Sequence, residues 1–279
     1  MKKPEWLRIP YIDNENTRYV TELLSELGLN TVCIEANCPN CSECFSNKTA
    51  TFMILGTVCT RNCAFCNVSS GIPSQVDSDE PRRIAHAVEK LSLKYAVITS
   101  VTRDDLSDGG ASHFSEVIKA IKETSPDTLV EVLIPDLKDI KVIAAQSPAV
   151  ISHNIETVKS LYPSVRPEAD YITSLNVIGS IKRFNPGICA KSGLMLGFGE
   201  TKDEILETFS DLLDAGCELL TIGQYLPPGK NNYPVHEYIK PQLFSEYREI
   251  ALQMGFKHVA SAPLVRSSYK AENFLKYKH

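Results

Sequence analysis

The sequence predicts an α/β fold, a parallel sheet wound as a partial six-unit (βα)6 barrel of TIM type, and three observations predict it. Apolar, β-rich runs alternate with helical patterns between residues 49 and 260. Those runs are apolar almost throughout, as strands covered on both faces are, and not at every second position. A complete eight-unit barrel takes about 250 residues, roughly 31 per unit, so this stretch holds six or seven units and not eight.

Taken in order, residues 1–48 read as an N-terminal extension, with a helix from about Glu15 to Leu27 stopped by Gly28. The strands are expected at 50–56, 95–100, 129–135, 150–156, 193–197 and 219–225. Helical patterns lie between them, at 80–92, 111–123 and 137–145. Thr201-Lys-Asp-Glu204 has the spacing of a capping box, and Gly216 stands where the glycine ending that helix is expected. Past about Lys257 the alternation is lost, and 261–279 read as a C-terminal extension. Ser100, Asn154, Glu156 and Gln224 fall at strand C-termini, the face on which such barrels carry their chemistry.

Composition narrows the class. With 279 residues, 43% of them hydrophobic and 23% charged, the chain is ordinary globular material for one large domain or two small ones. No apolar run approaches the roughly 18–20 residues of a membrane span. Met1-Lys-Lys-Pro-Glu-Trp6 leads into polar residues and not into an apolar signal core, so a cytoplasmic location is expected. A net charge of −5 speaks against a nucleic-acid partner, which wants a basic face.

Cysteine placement is the most informative feature. Of nine cysteines, seven lie between Cys33 and Cys66; only Cys189 and Cys217 lie elsewhere, where they read as core or surface thiols. Clustered thiols in a large, unsecreted chain with an odd cysteine count point to metal ligation and not to a disulfide scaffold. Cys59-Thr-Arg-Asn-Cys63-Ala-Phe-Cys66 follows directly on the first strand. Three thiols on one short loop can hold one corner of a cubane cluster and leave one iron open to a substrate or cofactor. A structural zinc knuckle would want a fourth ligand, and no histidine follows closely.

This C-x3-C-x2-C loop, with an aromatic before its last cysteine, resembles that of the radical S-adenosylmethionine enzymes. A second set, Cys33-x4-Cys38-x5-Cys44, together with Ser100-Val-Thr-Arg-Asp-Asp-Leu-Ser-Asp-Gly-Gly110, His153-Asn-Ile-Glu-Thr157, Val165-Arg-Pro-Glu168, Lys191-Ser-Gly193, Gly197-Phe-Gly-Glu-Thr201 and Arg266-Ser-Ser-Tyr269, is similar to the lipoyl synthase family over essentially the whole chain. Two departures stand out: Cys41 is an additional thiol, and Leu226-Pro-Pro-Gly-Lys-Asn-Asn-Tyr-Pro234 replaces a loop that usually contains histidine.

The resemblance implies two 4Fe-4S clusters and S-adenosylmethionine as cofactors. Cys59, Cys63 and Cys66 would hold the radical-generating cluster. Cys33, Cys38 and Cys44 would hold an auxiliary cluster that donates sulfur, with Ser268 as its fourth ligand and the C-terminal extension closing over it; Cys41 is nearer in sequence and is the thiolate alternative. The implied reaction inserts sulfur at C6 and C8 of an octanoyl chain on a lysine of a lipoyl-domain or H-protein. A low-potential donor (ferredoxin or flavodoxin) and an iron–sulfur carrier that repairs the auxiliary cluster are the implied partners. Asn154 and Glu156 suit vicinal hydroxyls of a ribose, with a polar cap on a turn as the plainer reading; Ser100 joins them as a cofactor contact. Arg166 could neutralise the methionine carboxylate or simply form an ion pair. Arg103-Asp104-Asp105 reads as paired acid–base carboxylates or as a charged loop turned by Gly109-Gly110. His86, His113, His236, His258 and His279 are expected at structural or surface positions. Another radical enzyme with an electron-transfer cluster, or an iron–sulfur scaffold, would share the cysteines; the scaffold would cleave no cofactor.

Overall fold

A computed structural model describes residues 2–277 of the chain, which fall into two compact units. His279, and the last residues of the C-terminal extension with it, lie outside the described residues.

The first unit comprises Ile9–Arg61 and Asn67–Ile151. It opens on α1 (Glu15–Glu26), which begins where the Asn14 side chain accepts the Thr17 amide at 2.9 Å. The helix ends as expected, with Gly28 at φ +58°. Then come β1 (Asn30–Thr31), α2 (Val32–Glu35), α3 (Cys41–Ser46), β2 (Thr51–Ile54), the two-residue strands β3 (Val58–Cys59) and β4 (Ser69–Ser70), α4 (Glu80–Lys90), β5 (Tyr95–Ser100), α5 (Ala111–Thr124), β6 (Leu129–Leu133), α6 (Lys141–Ala145) and the start of β7 (Val150–Ser152). β1 runs antiparallel to β2. The rest is parallel: Ile54 of β2 lies opposite Ser100 of β5, and Thr99 of β5 opposite Leu133 of β6. α4 and α5 pack together and bury Ile84, Val88, Phe114, Val117 and Ile118.

The second unit holds Asn62–Cys66, Ser152 onward and the residues before Ile9. Its elements are α7 (Tyr162–Val165), α8 (Tyr171–Phe184), β8 (Cys189–Leu196), α9 (Lys202–Asp214), β9 (Leu219–Gln224), α10 (Pro241–Met254) and β10 (His258–Ser261). Gly193 of β8 lies opposite Thr221 of β9, and Thr221 opposite Ala260 of β10, all parallel. The capping box is present at α9, where Thr201 and Glu204 exchange hydrogen bonds with each other's backbone, and Gly216 follows at φ +82°.

In chain order β2, β5, β6, β7, β8 and β9 are the six strands the alternation predicted, in a mostly parallel sheet of the partial-barrel kind. Most ends shift by a few residues, and three differences are larger. The expected strand 150–156 stops at Ser152, because Glu156 takes a left-handed φ of +65° and keeps only an isolated bridge to Leu194. β8 begins at Cys189, ahead of the expected 193, because it includes Lys191 and Ser192, polar residues that are fully buried. A further parallel strand, β10, lies beyond Lys257, where the sequence alternation stops. Among the described residues no helix is long and apolar enough to cross a membrane.

Candidate cluster and cofactor site

In the first unit the auxiliary triad is assembled by two short helices. Cys33 lies in α2, Cys38 in the turn after it, and Cys41 and Cys44 in α3. Backbone bonds close this turn: Cys38 N–H donates to Cys33 O at 3.1 Å, and Cys41 N–H to Cys38 O at 3.1 Å. The thiol of Cys33 is buried, and burial raises its pKa strongly; the neighbouring Cys38, Cys44 and Cys41 raise it further by charge repulsion. Cys41 is pushed up to about 11, by burial and by Cys38. Thiols packed this closely repel one another when ionised, and a bound cation relieves that repulsion. That donor set fits a thiolate-bound iron–sulfur cluster. Among the described residues no three histidine, cysteine or acidic side chains converge on a single ion. A cubane does not require that, since each thiolate takes a different iron.

Cys59 ends β3 with its Sγ accepting two backbone N–H groups, from Arg61 at 3.4 Å and Thr102 at 3.3 Å. Hydrogen bonds to a ligating sulfur are among the features that set the potential of an iron–sulfur cluster. Arg61 is fixed by Asp104, at 2.8 and 2.9 Å, and by Asp136. Asp104 is thereby held below the usual carboxylate range by the Arg61 hydrogen bond. Arg103, 2% exposed, gives its guanidinium to Asp105 and to the carbonyls of Leu55 and Ser74. The Arg103-Asp104-Asp105 carboxylates are therefore occupied by arginines, and the charged-loop reading holds over the acid–base one. His113 is buried against Glu80 at 2.7 Å, and Glu80 also accepts the Leu55 amide. Ser100, at the C-terminal end of β5, has a buried hydroxyl with no hydrogen-bond partner among the described residues.

In the second unit Cys63 and Cys66 share a turn, Cys66 N–H donating to Cys63 O at 3.1 Å. The turn is held from outside. Ala64 N–H donates to Val165 O at 3.0 Å, and Asn232 Nδ2 reaches Ala64 O at 3.3 Å and Cys66 O at 2.8 Å. Asn232 belongs to the loop that departs from the family pattern; sequence reasoning noted the loop but not this clamp. Gln224, expected at the active face, spends its amide on backbone either side of that loop, donating to Leu196 O, Tyr225 O and Glu237 O and accepting from Ile239.

Past β7, Asn154 Nδ2 donates to Glu156 Oε1 at 3.0 Å, and Asn154 Oδ1 accepts from Ser267 Oγ at 2.7 Å. Burial raises the pKa of Glu156, offset by the charge of Arg166 and the Asn154 amide. Arg166 Nη1 also meets Asn154 O, Tyr162 Oη and Ser174 Oγ at 3.2, 2.9 and 3.3 Å. Gly193 lies beneath this group: a Cβ there would stand 2.7–2.9 Å from Asn154 Oδ1, Ser267 Oγ and Thr221 Oγ1. The missing side chain at Gly193 thus lets three polar side chains close in over β8. Ser268 is half-buried in the turn that follows β10.

The radical SAM superfamily model matches residues 53–212. A lipoyl synthase of Caldicellulosiruptor saccharolyticus is 57% identical over 99% of this chain and 98% of its own length. The chain belongs to the lipoyl synthase family. Another relative of that name, from Alkaliphilus metalliredigens, is 52% identical over 100% of this chain and 97% of its own. Among solved structures, Streptococcus suis SuiB bound to S-adenosylmethionine has a TM-score of 0.60 at 10% identity, covering 80% of this chain and 54% of its own. Methylornithine synthase (PylB) gives 0.56 at 13%, covering 92% and 81%. At these identities the likeness is one of fold. The family's chemistry uses 4Fe-4S clusters and S-adenosylmethionine, and the thiols described above are a donor set that fits the clusters.

Proposed function

We propose that this enzyme inserts two sulfur atoms at C6 and C8 of an octanoyl chain carried on a lysine of a lipoyl-domain or H-protein. The carrying observation is the presence of two separate cysteine triads, one of them on the loop after the first barrel strand. An unactivated methylene has no acidic proton, so side-chain acid–base catalysis cannot open its C–H bond. When bound, the open-iron cluster with S-adenosylmethionine supplies one-electron C–H chemistry, and the auxiliary cluster supplies sulfur.

The chain's own residues then have positional roles. Cys59, Cys63 and Cys66 hold the first cluster, the N–H groups of Arg61 and Thr102 donating to the Cys59 sulfur. Cys33, Cys38, Cys44 and Ser268 hold the second. A hydroxyl is a harder donor than a thiolate and easier to displace, which suits a cluster that must surrender sulfur; Cys41 is then a bystander. Asn154, Glu156 and Ser100 present hydrogen-bonding groups to the cofactor's hydroxyls, and Arg166 places positive charge near its carboxylate. A ferredoxin- or flavodoxin-like donor and an iron–sulfur carrier complete the cycle.

Anaerobic turnover with an octanoyl-lysyl peptide should raise the peptide mass by two sulfur atoms and release 5′-deoxyadenosine, both abolished by Cys66→Ala. Deoxyadenosine release without sulfur in any octanoyl substrate would overturn the sulfur-insertion reading.

A further inference from the structure

Ser267 is held at both ends of its residue. Its hydroxyl donates to Asn154 Oδ1 at 2.7 Å, and its carbonyl accepts the Lys191 ammonium at 2.6 Å. Lys191 is fully buried within β8, its ammonium also 4.2 Å from the centre of the Phe274 ring. Burying an ammonium costs several kcal/mol unless strong acceptors meet it, so a strand that keeps one here does so for what it holds. Gly193, two residues on, leaves the room in which Ser267 and Asn154 meet.

We propose that Ser267 is a positioning residue, the joint through which the cofactor-facing pair Asn154 and Glu156 sets the place of Ser268. The inference rests on the reading of Ser268 as the fourth ligand of the auxiliary cluster. Asn154 spends one N–H on Glu156 and one lone pair on Ser267; its amide has a second N–H and a second lone pair to offer. A cofactor hydroxyl that engages Asn154 or Glu156 orders the same amide that holds Ser267. Hydrogen bonds in such a chain reinforce one another, so cofactor binding tightens the 266–270 turn. Lys191 fixes the turn from its other side whether or not cofactor is present.

The test is amide hydrogen exchange across 266–270 in the reconstituted full-length protein, with and without S-adenosylmethionine, beside separate assays of deoxyadenosine release and sulfur insertion. In the parent, cofactor slows exchange in this turn. In Ser267→Ala the cofactor-dependent slowing disappears, and sulfur insertion falls about fivefold to tenfold, the loss of roughly one neutral hydrogen bond, and by more than deoxyadenosine release does. Lys191→Met speeds exchange in both states. If cofactor leaves exchange in the parent turn unchanged, or Ser267→Ala keeps the slowing, the coupling is wrong. If the slowing behaves as expected but Ser268→Ala leaves auxiliary-cluster iron and sulfur insertion intact, the coupling stands and the ligand reading fails.

Discussion

Glu218, just before β9, accepts the ammonium groups of Lys182 and Lys257 and the amide of Ala190. Burial alone would raise its pKa, but the two lysines outweigh burial and lower it. A carboxyl held below its ordinary value adds stability that is fully present above the ordinary carboxylate range. That stability is lost as pH falls through the depressed folded value. Glu218→Gln removes the charge and keeps the shape. Urea midpoints of parent and variant should therefore differ near neutrality and converge on acidification below about pH 4. A gap that does not change with pH would mean that the ion pairs contribute nothing. The carboxylates of the Arg103-Asp104-Asp105 loop follow the same logic, since arginines hold both acids below their ordinary values. Such groups stay charged near neutrality and serve as anchors, not as proton carriers.

At the scale of elements, α9 owes its start to the reciprocal Thr201 and Glu204 bonds. Thr201→Ala should cost about 1 kcal/mol, read as a lower urea midpoint; an unchanged midpoint would show that the cap is not limiting. This capping box was legible because its two partners lie three residues apart. The strands were legible because nearly every position in them is apolar, and the cluster loops because thiols at short spacing have few other uses. The beginning of β8 was hidden, since Lys191 and Ser192 look like surface residues but are buried, where the Ser267 carbonyl and the Ile155 amide are among the groups that meet them. Hidden for the same reason was the bond from Asn154 to Ser267, 113 residues apart. So was the grip of Asn232 on the carbonyl of Cys66, 166 residues before it. Composition and periodicity are local quantities, and they carry no information about which distant backbone a side chain will satisfy.

For the molecule as a whole, the question is how much metal the chain holds and whether the two triads are independent. The auxiliary thiols sit on α2, α3 and the turn joining them, whereas Cys59, Cys63 and Cys66 sit on the loop after β2, supported by the Thr102 amide and by Asn232. The two triads stand on different segments of the chain, so each should load without its neighbour. Anaerobically reconstituted protein should carry about eight iron atoms, four for each cubane. Cys59→Ala combined with Cys63→Ala should leave about four, with Cys33, Cys38 and Cys44 still loaded, and deoxyadenosine release should stop. The complementary variant, Cys38→Ala with Cys44→Ala, should also retain about four iron atoms and should still cleave S-adenosylmethionine while inserting no sulfur. Zinc in place of iron would overturn the cluster assignment for either triad. Loss of all iron from one double variant would show that the two sites depend on each other. Equal loss of cleavage from both variants would place radical generation and sulfur supply on a single cluster, against the division of roles between the triads.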